Sequence, residues 1–97
     1  MSCQVILTFN AKPDCVEKAR AGLKRVLSDT RSFDGCVTLH VIQNQDKPTE
    51  ILIVEQWESR RHYEKYLAWR TETGIMDEFR AMMADDPHIR FFDYFRV

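Results

Sequence analysis

The chain has 97 residues, a formal net charge of −1, and 44% hydrophobic and 30% charged residues. That is the length of one domain with an ordinary globular composition, which excludes a disordered chain and leaves an adequate core. Acids and bases are interspersed without the basic stripe of a nucleic-acid surface, and the longest apolar run, Ile51 to Val54, is far short of a membrane span.

Cys3, Cys15 and Cys36 are an odd number of cysteines with no C-x-x-C spacing, which argues against a disulfide framework or a zinc site and fits a reducing cytoplasm. The start of the chain lacks a basic segment followed by a long apolar one, so no secretory signal is expected. His40, His62 and His88 are scattered, without H-x-x-x-H or H-E-x-x-H spacing, and no metal site is expected from them.

Cys3 to Phe9 alternates, with Cys3, Val5, Leu7 and Phe9 on one face, and predicts a strand. Pro13 or Asp14 then starts a helix. Its apolar stripe is Val16, Ala19, Leu23, Val26 and Leu27. Asp34-Gly35 predicts a turn. Cys36 to Gln43 alternates again, with Thr38 and His40 on the more polar phase. Asn44 to Pro48 is a polar hairpin loop. Glu50 to Glu58 is a third strand, and Ser59 is placed to cap the helix that follows. That helix carries Tyr63, Tyr66, Leu67, Trp69 and Arg70, and Thr71 to Gly74 interrupts it. A short helical piece runs from about Ile75 to Ala84, Asp86-Pro87 ends it, and Ile89 to Val97 is the last strand. The order is β-α-β-β-α-β, an α+β, ferredoxin-like arrangement in a single domain spanning 1–97.

In that arrangement both helices cover one face of an antiparallel sheet. The third strand, Ile-Leu-Ile-Val, is apolar on both phases, and the last strand carries Phe91 and Phe95 on one phase and Phe92 and Tyr94 on the other. An uncovered sheet of that kind is a large exposed patch. Covering several hundred Å² of apolar surface is worth on the order of 10 kcal/mol gross. A homodimer paired sheet to sheet is the expected cover, the alternative being the third helical piece.

Glu55 and Trp57 share one face at the end of the third strand. A carboxylate there, after buried aliphatics, has its pKa raised unless a cation or donors compensate. One reading is a pocket wall with a proton acceptor. The other has Trp57 filling the core while Glu55 pairs with an arginine. Tyr63, Tyr66 and Arg70 follow at helical steps, an aromatic face ending in a guanidinium that suits a flat, partly anionic ligand. Trp69 belongs to the same helix, and plain core aromatics are the competing reading. If the Thr38–His40 phase faces the interior of a paired barrel, His40 is a base poised for neutral pH.

The segments Phe33-Asp34-Gly35-Cys36 and Ile53-Val54-Glu55-Gln56-Trp57-Glu58-Ser59, followed by a helix with Tyr66-Leu67, resemble the antibiotic biosynthesis monooxygenase (ABM) family over nearly the whole chain. The resemblance implies a dimeric α+β barrel. It also implies oxygenation of a small phenolic or quinol substrate without flavin, haem or metal, the substrate's own anion reducing oxygen. Trp57 matches the family's strand-end tryptophan. Many members carry a histidine where this chain has Tyr66, which moves the base role to His40 or Glu55. The haem-degrading relatives combine that histidine with a first-strand asparagine, where this chain has Ile6, so haem degradation is disfavoured.

The expectation is therefore a cofactor-independent monooxygenase with no metal or other cofactor. His40 or Glu55 would be its base, and Trp57, Tyr66, Arg70, Thr38 and Trp69 would bind a small aromatic or quinone-like molecule. The competing expectations are an isomerase using Arg70 with His40 on a phosphorylated or carboxylated metabolite, and a non-catalytic dimeric binding module.

Overall fold

The computed structural model describes residues 2–97. Its elements are β1 (Cys3–Asn10), α1 (Val16–Ser32), β2 (Cys36–Gln43), β3 (Glu50–Trp57), α2 (Arg60–Glu72), α3 (Ile75–Arg80) and β4 (His88–Phe92). The strands form one antiparallel sheet in the order β2-β3-β1-β4, so the most apolar strands, β1 and β3, lie at its centre. This is the ferredoxin-like β-α-β-β-α-β arrangement expected from the sequence.

Strand alternation sets the two faces of the sheet. Cys3, Val5, Leu7 and Phe9 of β1 and Ile51, Ile53, Glu55 and Trp57 of β3 are buried, while the residues between them are half-buried. The buried set faces the helices. Leu7, Phe9, Leu39, Ile51 and Ile53 meet the α1 stripe Ala19, Leu23, Val26 and Leu27, together with Phe79 and Met83. A second cluster gathers Cys3, Val5, Trp57 and Tyr63, flanked by Phe33, Tyr66, Leu67 and Phe91. The helix-free face carries Ile6, Leu52 and Val54, half-buried, with Ile42 and Phe92 exposed at its edges.

Several boundaries differ from the sequence reading, each for a local reason. Helix α1 starts one residue after Cys15, whose side chain makes no capping hydrogen bond, rather than at Pro13 or Asp14. Ser59 does cap α2, accepting from the His62 amide at 3.2 Å. Helix α3 stops at Arg80, because the chain must turn back for Ala84 N–H to reach the Asn10 carbonyl at 2.7 Å. The last strand ends at Phe92, paired with Gln4, and Asp93–Val97 continues without a strand partner among the described residues. Its Phe95 therefore adds nothing to the sheet, although periodicity extends to it. No helix among the described residues is long and apolar enough to cross a membrane.

The Asp34-Gly35 turn is tied to α2. Gly35 has φ +90°, and a Cβ there would lie 2.5 Å from the His62 ring, so backbone conformation and space both require glycine. The Gly35 carbonyl accepts from Glu58 N–H at 2.8 Å, which fixes the start of β2 beside the end of β3.

Candidate functional site

Alternation puts Glu55 and Trp57 on the helix-facing side of β3, where both are nearly inaccessible, at 4% and 0% exposure. The indole Nε1–H donates to Glu55 Oε1 at 3.0 Å. No cation is paired with Glu55 among the described residues, and its other oxygen has no hydrogen-bond partner among them. Burial raises the Glu55 pKa from 4.5 to about 7, the Trp57 hydrogen bond opposing only part of the rise. Glu55 thus titrates where a general base is most useful.

Helix α2 lays its aromatic face over this carboxylate. Tyr63 and Tyr66 stand 5.6 and 5.0 Å from the Trp57 ring, and Phe33 meets Trp57, Tyr66 and Trp69 at 6.3, 5.3 and 5.3 Å. The Tyr63 hydroxyl has no hydrogen-bond partner among the described residues, and burial pushes its pKa upward, so it stays a neutral donor. Burial likewise raises Tyr66, against hydrogen bonds from Thr30 and Arg70.

Arg70, 4% exposed, donates to the Val26 carbonyl at 2.7 Å, to Thr30 Oγ1 at 2.9 Å and to the Tyr66 hydroxyl at 3.0 Å, while Thr30 and Tyr66 share a hydrogen bond of 2.7 Å. The guanidinium also lies over the Trp69 ring at 4.5 Å. A carboxylate partner for this buried cation is absent among the described residues, so Arg70 fastens α2 to α1 through neutral acceptors.

Glu55, Tyr63, Tyr66 and Arg70 line one cavity of about 60 Å³, whose remaining wall is aliphatic, phenyl and thioether side chains from the sheet, the three helices and the turn after α3. Glu55 and Tyr63 are thus an acceptor-bearing and a donor-bearing residue in the lining of a largely apolar space. The α2 spacing predicts Tyr63 as part of the aromatic face. Its register six residues after Trp57, on the same side as Tyr66, was the available signal for a place beside Glu55.

The structure brings Glu55, Trp57, Tyr66 and Arg70 together, with Trp69 behind them against Phe33 and Arg70. It does not bring His40 or Thr38 to them. Opposite His40 in the ladder is Val54, and opposite Thr38 is Gln56, both on the helix-free face, so these two residues lie across the sheet from the cavity and are exposed. The pairing of His40 with Arg70 is likewise broken by the sheet. The His40–Gln43 edge of β2 instead borders an open groove of about 490 Å³ whose α1 side carries Arg20, Lys24 and Arg31.

For a cation, the described residues offer one group of donors. Asp34 meets Glu58 and His62, four residues apart, with ligand atoms within 4.8 Å of one another on the surface at the α2 N-terminus. His62 Nδ1 there is engaged with the Ser59 hydroxyl at 2.6 Å, and none of the three lines the Glu55 cavity.

Comparisons with known proteins agree on the architecture. A crystal structure of an antibiotic biosynthesis monooxygenase superposes with a TM-score of 0.87 at 18% identity, covering 97% of this chain and 99% of that one. Rv0793 from Mycobacterium tuberculosis gives 0.87 at 18%, covering 100% and 98%. A variant of SnoaB, a cofactor-independent oxygenase from Streptomyces nogalater, gives 0.84 at 12%, covering 99% and 95%. At these identities the likeness is one of fold. No curated protein matches the sequence. Residues 3–85, however, match the family model described as antibiotic biosynthesis monooxygenase, and the chain belongs to that family.

Proposed function

We propose that this protein is a cofactor-independent monooxygenase of a small phenol or quinol, with Glu55 as the base. The observation that carries this reading is a buried carboxylate with no cation partner among the described residues and a pKa of about 7, on a residue that lines, with Tyr63, a largely apolar cavity. Family membership supports a monooxygenase-type role, and one structural neighbour, SnoaB, is named a cofactor-independent oxygenase.

The chemistry follows from proton affinity. A phenolate gives up an electron to oxygen far more readily than a phenol does. An ordinary carboxylate is a poor base for a phenol, and raising its pKa from 4.5 to about 7 removes roughly 3 kcal/mol of the uphill proton transfer. With the proton on Glu55, the phenolate passes one electron to oxygen. The resulting pair combines at a ring carbon to give a peroxide anion, which the proton returned from Glu55 converts to a hydroperoxide. Loss of the hydrogen on that carbon as a proton then breaks the O–O bond, giving a quinone and hydroxide, which that proton converts to water. One oxygen atom enters the product, the other leaves as water, and the substrate supplies both electrons. The dry aromatic cavity holds the anion without water, and Tyr63 donates a hydrogen bond to an oxygen of the substrate.

His40, on the opposite face, has no part in this scheme, and Arg70 acts by holding Tyr66 and α2 in place. The helix-free face, with Ile6, Ile42, Leu52, Val54 and Phe92, supports assembly as a homodimer through the sheets. The free cysteines support a reducing, cytoplasmic setting.

The test is oxygen consumption by chelator-treated protein across a panel of phenols and hydroquinones. Uptake with formation of the quinone is the expected result, and no uptake with any member refutes the reading.

A further inference from the structure

The cavity beside Glu55 is small for an aromatic substrate, and its walls differ in how far they yield. Its free volume is about 60 Å³, whereas a cavity of roughly 150 Å³ is what accepts a benzene ring. Binding even one ring therefore needs a wall to move. The wall from α3 and the turn after it consists of Ile75, Met76, Phe79 and Met83. Met76 and Met83 are unbranched thioethers with three rotatable bonds and adapt readily.

Phe79 is different. It is 7% exposed, and its ring lies against Gly22 of α1, so close that a Cβ on that glycine would sit 3.0 Å from Cζ and 3.3 Å from Cε1. The glycine is the socket in which the ring sits. On its other sides are the aliphatic core residues of α1 and the sheet. Rotating the two methionines is therefore the smaller adjustment of this wall, and lifting Phe79 off Gly22 the larger one.

We propose that the substrate of this site is a monocyclic hydroxyaromatic and that Phe79, seated on Gly22, is the residue that sets this limit. The inference rests on the Glu55 cavity being the substrate site and adds the size class of the ligand. The recognised group is one ring bearing a hydroxyl that reaches the free oxygen of Glu55 or the hydroxyl of Tyr63. Naphthols and larger fused phenols are excluded by Phe79.

Binding tests this without oxygen chemistry. Calorimetric titration of anaerobic protein with phenol, hydroquinone and 1-naphthol compares one ring with two, in the wild type and in Phe79→Leu and Phe79→Ala. The wild type is expected to bind the single-ring compounds at least about tenfold more tightly than 1-naphthol, the range a hydrophobic pocket achieves by size alone. Phe79→Ala, or Phe79→Leu should the alanine variant unfold, is expected to shift that ratio toward 1-naphthol by a similar factor.

Equal affinity of the wild type for one and two rings, an unchanged ratio in Phe79→Leu, or no binding of any ring compound overturns the inference. Because the readout is affinity, it is separable from the oxygenase reading. Single-ring binding with the expected ratio but no oxygen uptake would remove the proposed reaction and leave the size limit standing.

Discussion

The indole Nε1–H of Trp57 donates to Glu55 Oε1 at 3.0 Å, and it is the hydrogen bond this buried carboxylate makes. The two residues are two positions apart on one strand face, so the bond is built into the pleat of β3. It holds one carboxylate oxygen in place. Trp57 does not itself line the cavity, so it acts on Glu55 from behind, and its removal has a defined consequence. In Trp57→Phe, Glu55 loses the donor that opposes desolvation, so its pKa rises above about 7. The acid limb of the pH–rate profile should move to higher pH by the same amount. An unmoved limb would show that the carboxylate is held by something else.

Glu55 also ties stability to pH. Its pKa is higher in the folded than in the unfolded chain, so the native state binds the extra proton. The stability of the neutral form is fully present below pH 4.5 and is lost as pH rises through about 7, a decline worth roughly 3 kcal/mol in total. Glu55→Gln keeps the acceptor for Trp57 without the charge. Denaturant titrations should find the variant close to wild type at pH 4.5 and more stable at pH 8 by about 2–3 kcal/mol. Equal stability at pH 8 would mean that the carboxylate is not desolvated.

The Thr30–Tyr66–Arg70 cluster makes a different prediction, about structure. Arg70 has three protein acceptors and no counter-ion among the described residues, so truncating an acceptor leaves a buried cation short of a hydrogen bond. Thr30→Val should destabilise the fold by about 2 kcal/mol, in the range for hydrogen bonds to charged groups. Single-ring affinity should change little, because Thr30 does not line the cavity. Thermal melts and ligand titration together check this.

Gly35 should tolerate no side chain. Alanine there meets both a left-handed backbone, at φ +90°, and the His62 ring. Gly35→Ala should cost about 2 kcal/mol or more. The double variant Gly35→Ala/His62→Ala should recover only the steric part, since the backbone strain remains. Full recovery would show that contact with His62 was the whole cost.

Much of this was legible in the sequence because alternation and helical spacing are local signals. The alternation of β3 already placed Glu55 and Trp57 on one strand face, and the α2 spacing placed Tyr63, Tyr66 and Arg70 on one helix face. The fate of His40 was harder to read. Alternation separated it from Leu39 and Val41, but which phase faced the helices depended on pairing with β3, a contact between strands. The tie from Arg70 to α1 was hidden for a related reason. Its partners, Val26 and Thr30, lie 44 and 40 residues away on α1, and no spacing within α2 announces them. Phe79 and Gly22 were equally silent, since a glycine inside a helical stripe reads as a defect until the ring that fills its place is seen.

The sheet-to-sheet homodimer is checked by Val54→Lys. Val54 lies at the middle of the helix-free face, half-buried and away from the cavity. Light scattering should find the wild type dimeric and the variant monomeric with its secondary structure intact. A monomeric wild type would refute the pairing.

The role of Glu55 as base is tested most directly by the pH dependence of oxygen uptake, measured with chelator-treated wild type and Glu55→Gln on a monocyclic hydroquinone. The wild-type rate should rise with pH through an inflection near 7, as Glu55 loses its proton. Glu55→Gln should lack that inflection and run at least about 100-fold slower. A variant that keeps both the rate and the inflection would contradict the account.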